Sequence, residues 1–383
     1  MSRSVRSRLL ALVLVMGASL FAATCARDVA EPTIGFSYNF GDTSFEGFLM
    51  DELERTRPEG GERIRVVGGA ASFRGEGGGA LSAEVRRATQ LAEDASVLVA
   101  VGPGGSREVL QVVPIFRDAG LAQIIPTATS RRLGAAAPSA FLMAPNDSVQ
   151  GAFIGAFADS VLHARTAVII HVPDEYGIGL AAGTAAAFAA RGVQLADRIP
   201  MRLTLDCSAP ADRAAHDAIA DEVSLRGVPD VAVLAVRTVE AGCLARALRA
   251  RFPGIGLIAG DGTYFDRSFL DRAQGAAEGA YLVAFWHPQL DRPGVREFTE
   301  RFEARVGRTA RHGDAMFLDA VMLAGTAIRV AGAQRGPVAS YLRAVGSTRP
   351  VFEGITGPIS FAAGARRTLL MTRVTARRSE LVR

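Results

Sequence analysis

Short, uninterrupted apolar runs alternate with longer Ala-rich stretches through most of the chain. The runs at 33–37, 64–67, 97–101, 122–125, 167–172, 231–236, 257–259 and 281–285 show no in–out alternation. That predicts strands buried on both faces, as in parallel sheets. Helical patterns lie between them at 80–93, 149–162, 179–190, 211–225, 240–251 and 315–330, with a further helix after Ser106. Strand and helix in alternation predict an α/β fold with parallel central sheets. A chain of 383 residues exceeds one simple core, so two lobes are expected. No low-complexity linker separates them, and the Gly cluster at 75–79 reads as a loop before a helix. The Arg-rich end, 366–383, mixes Leu369, Leu370, Met371 and Val374 among its charges and reads as a polar strand or exposed segment.

Candidate chemistry gathers where strands end. Residues 95–129, ASVLVAVGPGGSREVLQVVPIFRDAGLAQIIPTAT, run from a strand through a Gly-rich turn to the hydroxyl of Ser106, then to a strand ending in Thr127 and Thr129. In parallel α/β sheets ligands sit beyond the carboxyl ends of strands, where helix N-termini offer N–H groups to anions. These hydroxyls therefore suit a carboxylate or phosphate; the alternative is that they only cap helices and turns. A second strand–loop–helix unit, with PDEYGIG at 173–179, repeats the arrangement. Two such halves predict a ligand cleft between them.

Composition narrows the function. All 43 basic residues are Arg, so a Walker-type phosphate loop and Schiff-base chemistry, both of which need Lys, drop out. The net charge of +4 is small and the Arg are scattered, which gives nucleic-acid binding no support. The five His are dispersed and neither CxxC nor HExxH spacing occurs, so neither a metal nor a cofactor is expected. At the N-terminus Arg3, Arg6 and Arg8 precede an apolar run at 9–23, the pattern of an export signal over residues 1–25. The run is short for a membrane span, and no later segment approaches the ~20 apolar residues a span needs. Ala22-Ala23-Thr24-Cys25 resembles a lipoprotein box, but lacks Leu three residues before the Cys and Gly or Ala just before it. The expectation is a periplasmic or otherwise extracytoplasmic protein, anchored by lipid on Cys25 or simply cleaved. Outside the cytoplasm Cys207 and Cys243 have the choice of pairing in a disulfide or staying free.

Four segments together resemble the periplasmic solute-binding proteins of ABC importers, in the branch of the Leu/Ile/Val-binding protein. They are VGPGGSREVLQVVPIFRDAGLAQIIPTAT at 101–129, AVIIHVPDEYGIGLAAGTAAAFAARG at 167–192, LIAGDGTYFD at 257–266 and FEGITGPISF at 352–361. The resemblance, from about Ile34 to Val374, implies the type I periplasmic-binding fold: two Rossmann-like lobes joined by three chain crossings near Asn146, Phe285 and Glu353. Lobe 1 would take 26–147 plus 286–352, and lobe 2 would take 148–285 plus 353–383. By the same resemblance Ser106 binds a ligand carboxylate, and Thr127 and Thr129 supply a carbonyl and a hydroxyl. Tyr176 covers the ligand from the second lobe, and Asp261 pairs with its ammonium. Two positions depart from the family. Arg237 stands where branched-chain binders place an aromatic; it suits a second anionic group on the ligand, or pairs with Asp261 or Glu240. The loop FSYNFGDTSFEG at 36–47 lacks the usual long Gly-bearing form, leaving Tyr38, Asn39 and Ser44 as weaker contact candidates.

The expected function is capture of an amino acid or similar small carboxylate by a monomer that delivers it to an ABC permease in the inner membrane. A sensor reporting ligand occupancy to a membrane partner is the alternative. Enzyme readings have little support. The 102–105 turn lacks full GxGxxG spacing, and Ser106 is followed by Arg107 and Glu108 where GxSxG needs Gly two positions on.

Overall fold

The computed structural model describes residues 31–37, 43–69, 79–135, 138–202, 207–365 and 367–382. Cys25 and the rest of the proposed export signal, and the loop residues Tyr38 and Asn39, lie outside them. The first elements are β1 (Thr33–Ser37), α1 (Thr43–Arg55), β2 (Arg65–Gly69), α2 (Gly79–Glu93), β3 (Val97–Val101), α3 (Ser106–Asp118), β4 (Ala122–Ile125) and β5 (Ala140–Leu142). They form a parallel sheet in the order β2-β1-β3-β4-β5.

The chain continues through α4 (Asp147–Ser160), β6 (Thr166–His171), α5 (Glu175–Arg191), β7 (Gln194–Pro200) and α6 (Pro210–Ser224). After these come β8 (Val231–Ala235), α7 (Thr238–Arg251), β9 (Gly256–Ala259), α8 (Arg267–Ala273) and β10 (Tyr281–Ala284). The second sheet orders these strands β7-β6-β8-β9-β10, all parallel. Next come α9 (Val295–Val306), α10 (His312–Ala331), α11 (Arg335–Ala344) and a hairpin of β11 (Phe352–Gly354) and β12 (Gly357–Ile359). Antiparallel β13 (Leu370–Thr375) and β14 (Arg378–Leu381) then close the second sheet beside β10. The Arg-rich end is thus built into a sheet, with Met371 and Val374 buried and Arg373 exposed between them.

Burial explains which strands were easy to read. Strands β1, β3 and β8 are buried at every position, so only apolar or small residues serve there. Strand β7, QLADRIP, alternates exposed positions with half-buried ones and the buried Ile199 at the sheet edge, so it forms no continuous apolar run.

Each sheet has its own core. Ile34, Phe36, Phe45, Val99, Phe298, Phe302 and Phe317 belong to the first; Ile154, Val168, Val233, Leu244, Ile258 and Val283 belong to the second. The chain passes between the cores three times, from Ala144 to Ile154, from Val283 to Phe285, and from Ile359 to Met371. The third passage falls beyond Glu353 because the β11–β12 hairpin stays with the first core. The buried Asp319 carboxylate on α10 accepts bonds from the Ile355 and Thr356 amides, both at 2.9 Å, and holds the hairpin there.

Helices α4 and α5 touch through glycines. A Cβ on Gly151 would lie 2.3 Å from the carbonyl carbon of Gly183, so no larger residue fits without separating the helices. Gly151→Ala is expected to cost ~1–3 kcal/mol as an overpacking change, read as a lower thermal midpoint. A midpoint equal to that of the parent would mean the helices give way freely. This contact matters beyond stability, because α4 and α5 begin at the residues described next.

Candidate functional site

Both sheets have a topological switch point, where consecutive connections leave in opposite directions and a crevice opens at the strand ends. In the first sheet it lies between β1 and β3, and in the second between β6 and β8. Gly102 lies at the first, with φ of +87° and room for no side chain, since a Cβ would sit 2.1 Å from the Ser37 carbonyl oxygen. That close approach brings the end of β3 against the end of β1 and starts the turn into α3.

Ser106 opens α3 and is buried. Its Oγ accepts from the Thr129 and Ser130 amides, both at 3.2 Å, which locks the end of β4 onto the helix N-terminus. An oxygen accepting two bonds still has its own proton to donate. The Thr127 hydroxyl donates to the Gly104 carbonyl at 3.0 Å. The structure therefore brings Ser106, Thr127 and Thr129 together. Part of their hydrogen bonding is structural, and a donor at Ser106 remains.

On the other side stand Tyr176 at the start of α5, Arg237 just before α7, and Asp261 just after β9. Asp261 is 5% exposed, and Gln150 grips it twice: the amide nitrogen donates to its carboxylate at 2.8 Å, and the amide oxygen accepts from its backbone at 3.0 Å. The Tyr176 hydroxyl bonds the Asp261 carboxylate and accepts from the Gly262 amide at 2.9 Å. Tyr176 thus supports Asp261 through its hydroxyl, in addition to presenting a ring. Burial pushes the Asp261 carboxyl up to about 6, against the hydrogen bonds from Gln150 and Tyr176.

Arg237 pairs with neither of the partners weighed from the sequence. Its Nη2 contacts the Asp174 carboxylate at 2.6 Å, and its guanidinium lies 5.9 Å from the Tyr176 ring centroid. Its buried Nη1 has no hydrogen-bond partner among the described residues. Ser44 stands in the first turn of α1, half-buried.

Asp147 is the residue that sequence reasoning missed. It is the first residue of α4, fully buried, and neither carboxylate oxygen has a hydrogen-bond partner in good geometry among the described residues. Burial, foremost, pushes its carboxyl up to about 7; the Thr129 hydroxyl opposes this, while Asp261, Glu175 and Asp174 add repulsion. Asp147 thus feels the electrostatic influence of Thr129 from the first half and of Asp261 from the second. The two halves also meet directly, where Glu175 on α5 accepts from the Ser130 hydroxyl at 2.6 Å and from Arg132 at 2.9 Å. Gln150 and Asp147 left no mark in the sequence beyond a capped helix start at Asn146, whose side chain accepts from Ser148 and Val149.

The sign of the pH response follows. Asp147 ionises near 3.8 when unfolded and near 7 when folded, so between those values only the folded state holds the proton. The stability this contributes is present at low pH and is lost as pH rises through that window. Asp147→Asn is expected to stabilise the ligand-free protein at pH 8 by on the order of 2–4 kcal/mol, with little effect at pH 4. Thermal unfolding of both proteins at the two pH values checks this, and equal shifts at both would contradict it.

The site is thus a helix N-terminus with hydroxyl donors facing two buried carboxylates, of which Asp147 has no hydrogen-bond partner in good geometry among the described residues. The donors suit an anion and the carboxylates a cation.

Comparison with known proteins agrees with this architecture. A Pseudomonas aeruginosa protein described as an amino acid binding protein is 28% identical over 189 residues, 48% of this chain and 49% of that one. The chain is thus matched over about half the length of that curated relative. The leucine binding protein LivK of Thermotoga maritima superposes with a TM-score of 0.78 at 20% identity, over 92% of this chain and 97% of its own. The branched-chain amino acid transporter substrate binding protein LivJ of Streptococcus pneumoniae, solved with isoleucine, gives 0.76 at 20% identity over 91% and 99%. Both likenesses show the type I periplasmic binding fold. The periplasmic binding protein family model matches residues 75–376, most of the sequence, and the chain belongs to that family.

Proposed function

We propose that this protein captures an α-amino acid, or a close analogue, between its two lobes and delivers it to an ABC permease in the membrane. The observation that carries the reading is the opposition of Ser106, at a helix start, to the buried Asp261 and Asp147 carboxylates. A zwitterion entering a dry cleft needs both charges met, since a buried unpaired charge costs several kcal/mol. The Ser106 hydroxyl and the α3 amides take the carboxylate, and Asp261 takes the ammonium with Thr127 and Thr129 beside it. No chemical step is required. Residues 1–25 act as the export signal, with lipid on Cys25 holding a monomer at the membrane face. The relatives described as amino acid and leucine binding proteins support the class of ligand.

A more specific reading follows from Arg237. Its unpartnered Nη1 favours an amino acid with a second anionic group over a plain aliphatic one. The test is thermal unfolding of the purified protein against amino acids, dicarboxylates and short amides. A ligand at ~100 times its Kd adds roughly 2.7 kcal/mol, a shift of a few degrees. Stabilisation by aspartate or glutamate supports the Arg237 assignment, and stabilisation by leucine alone contradicts it. If no member of the panel raises the midpoint, the capture reading fails and a sensor with a protein partner takes its place.

A further inference from the structure

The described residues include a cavity of ≈ 830 Å³ that the amino-acid site does not use. Ser106, Thr127, Thr129, Tyr176, Arg237 and Asp261 are all absent from its lining. Its volume falls within the ~300–1,000 Å³ range of small-molecule sites. The lobes share it: Thr263 to Asp271 and β13–β14 come from the second, while Arg308 to His312 come from the first.

Its lining has two characters. Leu270, Leu282, Ala284 and Trp286 supply apolar surface. Burial pushes the His287 and His312 side chains down to about 4 and about 3, so both are neutral at pH 7 and add no charge. Five arginines stand against only two acids, Asp266 and Asp271. Three of them have partners: Arg308 and Arg311 converge on the buried Asp314 at 2.7 and 3.2 Å, and Arg267 lies 3.4 Å from Asp271. Arg377 and Arg378, exposed on the β13–β14 turn, have no ion pair among the described residues. The buried Trp286 Nε1 and His312 Nε2 also have no hydrogen-bond partner there, so polar atoms in the apolar wall await one.

We propose that this cavity is a second ligand site, for an amphipathic monocarboxylate whose apolar tail packs on Leu270, Leu282 and Trp286 and whose carboxylate meets Arg377 and Arg378. Occupancy favours the arrangement of lobes seen here, because the ligand touches both lobes only when they are together. The cavity wall adjoins the amino-acid site, since the His312 ring packs on Tyr264, three residues beyond Asp261, with centroids 4.8 Å apart, and Arg311 reaches Asp266 across the lobes at 3.6 Å. By linkage, each ligand then raises the affinity for the other.

Trp286 is the only Trp in the chain, so its fluorescence reports on this wall. The experiment titrates the purified protein with octanoate below its micellar concentration, with octanol and octylamine as controls of equal tail length. Octanoate is expected to give a saturable change, weakened about tenfold, ~1.4 kcal/mol, in Arg377→Glu/Arg378→Glu. Octylamine should gain in that variant. Octanol matching octanoate on the unmutated chain would reduce the effect to apolar partitioning and overturn the proposal. So would an unchanged octanoate affinity in the double variant.

Discussion

Replacing Asp261 by Ala is expected to weaken binding of the stabilising amino acid by roughly two to four orders of magnitude, measured by calorimetry at pH 7.5. The size follows from leaving a ligand ammonium in a dry site without its counter-ion, which costs about 3–5 kcal/mol. Asp261 is buried, so water cannot replace the lost carboxylate at low cost. Its supporting groups give the prediction a second edge. Gln150 and the Tyr176 hydroxyl both bond this carboxylate, so Tyr176→Phe should weaken binding more mildly while leaving the Asp261 charge in place. Acidification gives an independent check. With the Asp261 carboxyl near 6, affinity for an ammonium-bearing ligand should fall as pH drops below that value, and Asp261→Asn should flatten the dependence. Full affinity retained in Asp261→Ala would remove the ammonium from this position and shift the anchoring to Asp147.

Loss of the disulfide is the other large effect. Cys207 and Cys243 are both buried and bonded to each other, closing a loop of 36 residues that contains α6 and β8. A cross-link over that span restricts the unfolded chain by about 4 kcal/mol in the loop-entropy account. The Cys207→Ser/Cys243→Ser protein should therefore unfold on the order of 10 °C lower than the parent. Reductant added to the parent should reproduce most of that shift. The site itself should survive: neither Cys touches Ser106, Asp261 or Arg237, so ligand affinity at 20 °C should stay near that of the parent. An unchanged midpoint in both experiments would mean the bond constrains little in solution.

The fold was legible in the sequence wherever burial left few choices. Strands β3, β6 and β8 are enclosed on both faces, and such positions admit only apolar or small residues, so VLVAV, TAVIIH and VAVLA announce themselves. Strand β7 and the β11–β12 hairpin stayed hidden because one side of each meets solvent and the composition there is mixed. Helix α8, seven residues long, is too short to show a helical period.

The candidate site divides along the same line. Ser106, Thr127 and Thr129 stood out because each follows a recognisable strand, and strand ends are where parallel sheets place ligands, whereas Tyr176 and Asp261 were singled out only through the family resemblance. Two glycines, Gly102 and Gly151, were visible as letters, but their purpose, the approach of Ser37 and of α5, requires the neighbours.

By itself, then, the sequence determined the α/β class and the two-lobe plan, because these depend on local patterning that each segment carries alone. Only the tertiary structure decided the rest. It placed Gln150 on Asp261 across 111 positions, gave Arg237 to Asp174 instead of Asp261 or Glu240, and kept the β11–β12 hairpin with the first lobe through Asp319. It also buried Asp147 between Thr129 and Asp261 and opened a second cavity beside Trp286. Those outcomes rest on which distant side chains reach one another once the cores have packed, and local patterning carries no record of that.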